Sequence, residues 1–235
     1  MKLVFIDETG DQKFKDYLGV CIATMDSRSH PLLKRESLKI LEKAGWDSDT
    51  EFKGSFLFSA SKGVTDVEVE ARVEAASELL DLNAADQKSR LRFAYLGMTS
   101  SNKATDYLAV VPKLLSNRKV IPRAPKGAGK NLIAVACDDR DDVDPRDLHE
   151  AVKPVLEEKG YVLLERVMQS VSAPESVGLM YADLVAYLLG RIATISNDAE
   201  LFEGLDQEQL ENSGKIKKLR SSDKLIEKIK RLEIL

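Results

Sequence analysis

Leu3-Val-Phe-Ile-Asp7-Glu-Thr-Gly10-Asp11 stands near the start of the chain, and its reading decides the fold. Leu3, Val4, Phe5 and Ile6 form a short run rich in β-branched and aromatic side chains, which predicts a buried strand. The acidic step after it holds Gly10, a residue that turns without steric cost, and a second apolar run follows at 17–25. The two runs are therefore expected to pair as an antiparallel hairpin. Residues 91–98, 132–137 and 161–168 repeat the pattern and bring the expected strands to five. Apolar positions three and four apart predict helices at 32–44, 67–82, 104–115, 146–159 and 177–192. Asp144 before Pro145 supplies a cap and first position for the fourth helix, and Gly160 marks its end.

The order is strand, strand, a helical insert, then strand, helix, strand, helix, strand, helix. From Leu91 onward that alternation predicts an α/β fold, a sheet with helices packed on it. Two stretches break the regularity. Residues 47–63 mix Glu51 with Phe52, Phe56 and Phe58, and residues 117–131 are basic and rich in Pro and Gly. Both are expected to be loops leaving the sheet, where functional segments tend to lie. After Asn197 the chain reads as a polar tail, with a basic helix from about Ser222.

At 235 residues, 43% of them hydrophobic, the sequence suits one large globular domain or one domain with an appended piece. A net charge of −4 excludes a polycation that coats nucleic acid over its whole surface; only local basic patches could serve that partner. No apolar run approaches the roughly 18–20 residues of a bilayer span, so no membrane partner is expected. The short apolar start turns acidic at Asp7, unlike a signal peptide, and Cys21 and Cys137 fall within strand-like runs as reduced, buried thiols would. A cytoplasmic protein is the expectation. His30 and His149 are the only imidazoles and the cysteines lack zinc spacing, so any metal would be held by oxygen.

The informative feature is where certain carboxylates lie. Asp7 follows Leu-Val-Phe-Ile and Asp138 follows Ile-Ala-Val-Ala-Cys, each at the expected end of a buried strand. Asp183 sits in Gly178-Leu-Met-Tyr-Ala-Asp-Leu-Val-Ala-Tyr187, a helix apolar on nearly every side. A lone buried carboxylate costs several kcal/mol unless it is paired, hydrogen-bonded or bound to a metal. Three at the edge of one core invite a shared explanation, a divalent cation. Plainer readings stand beside it: a turn residue for Asp7, a solvated Asp-Asp-Arg-Asp-Asp loop for Asp138, and a partner of Arg191 or Arg166 for Asp183. Within that loop Asp139 or Asp142 could be the functional member. Glu51 alone reads as a surface residue, and Asp106 as support for a helix N-terminus.

Lys126-Gly-Ala-Gly-Lys130-Asn131 imitates a phosphate loop, but a strand follows it and Asn131 stands where Ser or Thr is needed. Arg118, Lys119, Arg123, Lys126 and Lys130, in the loop before the Asp138 strand, could instead neutralise backbone phosphates without reading sequence. Basic residues crowd the tail as well, and a solvated surface is the plainer reading there.

Phe5-Ile-Asp7-Glu-Thr9-Gly10 resembles the opening Asp-Glu-Ser-Gly signature of the domain of unknown function 3800 family. The stretch from Gly178 to Tyr187 resembles that family's closing helix, and Glu51-Phe-Lys53-Gly sits where the family carries a Glu-x-His or Glu-x-Lys step. Thr9 replaces the usual Ser and Met180 the usual Gln. The resemblance implies a ribonuclease H-like fold over 1–195, with an insert at about 30–85 and a helical extension at 196–235. In such a mixed five-stranded sheet the first strand is central and the last helix packs across it, which would gather Asp7, Asp138 and Asp183. Glu51 would be the fourth ligand, with Asp106 as fallback. The implied activity is nuclease chemistry with Mg²⁺ or Mn²⁺, two ions held by Asp7, Glu51, Asp138 and Asp183; Lys53 could steady phosphate charge, with a plain surface lysine as the other reading. The alternative is a binding module for nucleic acid or a protein with a degenerate acidic site. A protein partner or a second copy of the chain stays open.

Overall fold

A computed structural model of the chain describes residues 1–10, 16–47, 50–57, 67–83, 91–126 and 131–201, together with 225, 227–229, 232 and 234, the side chains of the last long helix being described to residue 191. Its centre is a mixed sheet of β1 (Lys2–Gly10), β2 (Tyr17–Asp26), β3 (Arg92–Thr99), β4 (Asn131–Asp138), β5 (Tyr161–Leu163) and β6 (Met168–Ser170). The strand order is β3-β2-β1-β4-β5, and β6 also pairs with β4. The first strand is thus central, antiparallel to β2 and parallel to β4. Helices cover both faces: α1 (His30–Lys43), α2 (Val69–Asp81) and α5 (Val177–Leu201) on one, α3 (Lys103–Ser116) and α4 (Pro145–Glu158) on the other. Helices on both faces explain why β2 is apolar along almost its whole length, since its side chains are buried whichever way they point.

Two expectations about the strands are corrected. Asp7 does not end its strand: the ladder with β2 runs on from Ile6↔Ile22 to Gly10↔Leu18. Backbone pairing is indifferent to side-chain polarity, so the strand continues through its acidic residues, and Gly10 is not the turn. The run 161–168 is not one strand either, which makes six strands rather than five. Its first part pairs with the start of β4, where the Leu164 amide still donates to the Ile133 carbonyl at 2.8 Å, and β6 pairs with the end, while Glu165 and Arg166 bend between them. Elsewhere local signals act as expected. Asp144 accepts a hydrogen bond from the Arg146 amide at 2.8 Å to start α4, and Gly160 closes it at φ 83°.

Strand alternation sorts the side chains into two cores. Val4 and Ile6 join Val20, Ile22, Ile133 and Val135 under α3 and α4, whereas Leu3 and Phe5 pack with Cys21 and Ala23 beneath α5. Asp7 and Asp138 fall by the same alternation on the α5 face. Here α5 comes close to β1, because a Cβ on Gly178 would strike the Phe5 ring and one on Gly190 would lie 2.6 Å from Thr9 Cγ2. Of the tail, which the sequence reads as polar with a basic helix from about Ser222, residues 225 and 227–229 are helical, while a weak helix read near Gln207 lies outside the described residues. Leu225, Ile229 and Leu232 are buried in the α5-side core, Lys228 pairs with Asp81, and Ile234 bridges Phe93 on the outer edge of β3. Among the described residues, no helix is long and apolar enough to cross a membrane.

Candidate active site

The β1–β4 ladder holds a constant register from Lys2↔Ile133 to Ile6↔Cys137, and the next residue of each strand is an aspartate. Asp7 and Asp138 are thereby side by side on one face. Asp7 is 2% exposed. Its Oδ1 accepts from the Glu8 amide at 2.7 Å and its Oδ2 from the Ser172 hydroxyl at 3.1 Å. The same hydroxyl lies 3.4 Å from Asp138 Oδ1, so the two carboxylates flank a single donor. Asp183, on α5 between Gly178 and Gly190, is turned toward this pair and accepts a hydrogen bond from the Gly54 amide.

Gly54 belongs to the insert. Phe52 is fully buried, packs against Trp46 with ring centroids 4.8 Å apart, and donates its amide to the Ser172 carbonyl at 3.2 Å. A 3₁₀ turn, Gly54–Phe56, then lies on α5, where a Cβ at Gly54 would sit 2.5 Å from that of Tyr187. The segment anchored this way carries Glu51 and Lys53, paired at 3.1 Å, to the carboxylates. The 47–63 stretch is therefore not a free loop over its described part: two buried aromatic rings and a close glycine contact hold it to the helix.

Burial and mutual repulsion set the electrostatics. Asp7 is raised well above the usual carboxylate range by burial, then by the charges of Asp183, Asp138 and Glu8, against the opposing Glu8 amide bond. Asp183 is raised by burial first, against the Gly54 bond, with Asp138 and Glu51 adding to it and Lys53 offsetting. Asp138 is raised by burial, which outweighs the lowering effect of Lys53. Burial alone would lower Lys53, but Glu51 and the charges of Asp138 and Asp183 raise it on balance. The Cys21 thiol, paired across from Asp7, is driven up by burial and by Asp7 and Asp183, so it stays protonated and is no nucleophile.

Glu8 points through the sheet to the other face. There it meets Arg140 at 3.0 Å, and that guanidinium also forks onto Asp142 at 2.8 and 2.7 Å and lies 4.4 Å over the Tyr107 ring. The Asp-Asp-Arg-Asp-Asp run is thus not uniformly solvated, since the Arg140 side chain is only 8% exposed. Asp142 is committed to Arg140, Asp139 is exposed, and Asp106 accepts from Ser100 at 2.6 Å in the first turn of α3. Arg166 lines a cavity with Val143 and Val167, next to the α3/α4-side core. Arg118, Lys119, Arg123 and Lys126 are exposed and precede β4, whereas Asp138 ends it, roughly 23 Å further along the strand. Lys130 and the tail lysines other than Lys228 lie outside the described residues.

Sequence reasoning missed Ser172, Gly54 as a donor, and Arg140. A serine between a strand and a helix reads as an ordinary turn residue, and nothing in its neighbours tells which carboxylates it will meet.

All four acids offer hard oxygen donors, and the charges acting most strongly on Asp7 are other carboxylates, so the donor set fits a divalent cation. Among the described residues, no three His, Cys, Asp or Glu side chains stand close enough to hold an ion unaided. An ion here would draw the acids inward or keep water among its ligands, as Mg²⁺ does.

No protein-family model matches the chain, and no curated protein matches it. Among solved structures, it is similar to RNase HII of Archaeoglobus fulgidus in a complex with PCNA, at TM-score 0.47 and 15% identity over 95% of this chain and 91% of that one. It is also similar to ribonuclease H2 of Pyrococcus horikoshii OT3, at TM-score 0.41 and 16% identity over 98% of this chain and 100% of that one. Superpositions at this level carry no functional argument; the carboxylates and their neighbours do.

Proposed function

We propose that the chain is a metal-dependent nuclease that hydrolyses phosphodiester bonds of DNA or RNA on a ribonuclease H-like domain. One observation carries this reading: Asp7 and Asp138 flank the Ser172 hydroxyl, and Asp183 is tied to the Gly54 turn whose segment carries Glu51, so acids from four separate segments meet beside a buried strand. Leaving such charges to repel each other has no structural benefit, whereas a cation site needs them. The central β1, the reversed β2 and α5 across them support the ribonuclease H-like reading, as do the opening and closing motifs. The proposed domain is 1–195, with the insert at about 30–85 supplying Glu51 and Lys53 and 196–235 forming an extension.

In this reading Asp7, Glu51, Asp138 and Asp183 hold Mg²⁺ or Mn²⁺, two ions in the proposed arrangement. When bound, such ions would supply an activated water and offset charge on the leaving oxygen of an in-line displacement at phosphorus. The chain's own part is to gather the acids at one place, to exclude bulk water with α5 and the 3₁₀ turn, and to present Lys53 to a substrate phosphate.

A second reading, a non-catalytic binding module, is favoured by the ties already made, Lys53 to Glu51 and Gly54 to Asp183. Incubation with single-stranded DNA, duplex DNA, RNA, hybrid and a small phosphodiester, with Mn²⁺ or EDTA, decides between them. Cleavage with Mn²⁺ that EDTA stops supports the nuclease; intact substrates in every lane, or hydrolysis confined to small phosphoesters, overturn it.

A further inference from the structure

Ser172 stands at the junction of β6 and α5 and is fully buried. Its hydroxyl lies 3.1 Å from Asp7 Oδ2 and 3.4 Å from Asp138 Oδ1, while its carbonyl accepts the Phe52 amide at 3.2 Å. Two residues earlier, Ser170 pairs with Asp138 and takes the Asp139 amide at 3.1 Å. One short stretch therefore touches β1, β4 and the insert, and it leads directly into the helix that carries Asp183. We propose that Ser172 is a positioning residue that sets the affinity of the acidic site for a divalent cation, an inference that rests on the metal-dependent reading above.

The choice of side chain supports this. A lysine between Asp7 and Asp138 would offset one of their two charges and compete with a cation for the site. A hydroxyl fixes their orientation through one donated hydrogen bond and leaves their full charge available. Its proton serves one carboxylate at a time, and the shorter contact favours Asp7, the more deeply buried acid. With a cation bound, the same bond would hold the orientation of the carboxylate it touches. Groups in that outer position commonly govern metal affinity by about 10–100-fold.

Calorimetric titration with Mn²⁺ tests the proposal on wild type, Ser172→Ala and Ser170→Ala, each checked by circular dichroism and thermal melting. The expected result is Mn²⁺ binding at least about tenfold weaker in Ser172→Ala and unchanged in Ser170→Ala, whose hydroxyl makes its contact with Ser176 rather than with an acid. Equal affinity in wild type and Ser172→Ala would overturn the role of Ser172 and leave the metal reading standing. Equal weakening in both variants would also overturn it, because loosening of the segment would then suffice. A wild-type protein that binds no Mn²⁺ would overturn the metal reading and this inference with it.

Discussion

The backbone amide of Gly54 donates to the carboxylate of Asp183, joining residues 129 positions apart in sequence. That bond makes the insert part of the site, and it requires glycine. A Cβ at position 54 would lie 2.5 Å from the Cβ of Tyr187, an atom that no rotamer change can move aside. Gly54→Ala should therefore lift the segment from α5, cost about 1–3 kcal/mol in urea unfolding, and weaken Mn²⁺ binding as Glu51 withdraws. An alanine variant with unchanged midpoint and affinity would remove the insert from the site.

Proton linkage gives an unusual pH profile. Asp7, Asp138 and Asp183 all titrate above their ordinary values in the folded chain, Asp183 being pushed up to about 7. Through Asp183 the folded state therefore binds more protons than the unfolded one between about pH 4 and pH 7, and Asp7 and Asp138 act in the same direction, so stability from these groups falls as pH rises across that interval. Below it, all are protonated in both states and the penalty vanishes. In EDTA the melting temperature should be higher at pH 5.5 than at pH 8, and Mn²⁺ should raise it mainly at pH 8, where fewer protons compete with the ion for the acids. A melting temperature in EDTA that climbs from pH 5.5 to 8 would contradict the cluster's electrostatics.

Asp7→Asn separates stability from function. The substitution keeps the size of the side chain and its acceptor for the Glu8 amide, but removes the cost of either burying a charge or taking up a proton at the most deeply buried acid. At pH 8 in EDTA the variant should melt roughly 2–4 °C above wild type, the shift that about 1 kcal/mol produces in a domain of this size. Its Mn²⁺-dependent cleavage should fall by at least about 100-fold. A variant that melts lower and still cuts would show that Asp7 is a structural residue.

Much of this was legible in sequence because the signals were local. Apolar runs marked the strands, the spacing in 177–192 marked α5, and an aspartate inside each gave the candidates Asp7, Asp138 and Asp183. What stayed hidden depended on contacts between distant segments. The Gly10 turn was misplaced because an acidic step looks like a loop, whereas the β2 ladder carries the strand through it. Arg140 looked solvated because its flanking aspartates are polar, yet Glu8 and Tyr107 from other elements close over it. Ser172 had no local signal, since its meaning comes entirely from two carboxylates that the fold brings to it. The tail read as polar by composition, while the few apolar residues at 225, 229 and 232 decide where it packs.

The basic loop offers a test that depends on substrate length. Arg118, Lys119, Arg123 and Lys126 precede β4, and the strand sets them on the order of 23 Å from Asp138. That exceeds the Debye length of about 8 Å at physiological salt, so these charges act on the bond being cut only by touching a substrate that reaches them. At about 3.4 Å per base pair, such a substrate must extend roughly seven base pairs beyond the site. Arg118→Glu with Lys119→Glu should then raise KM and flatten the salt dependence for duplexes of about twenty base pairs, leave kcat unchanged, and have no effect on a tetranucleotide. Lys53→Ala should reduce kcat on both. Equal effects of the loop variant on long and short substrates would place the nucleic acid along a different path over the protein.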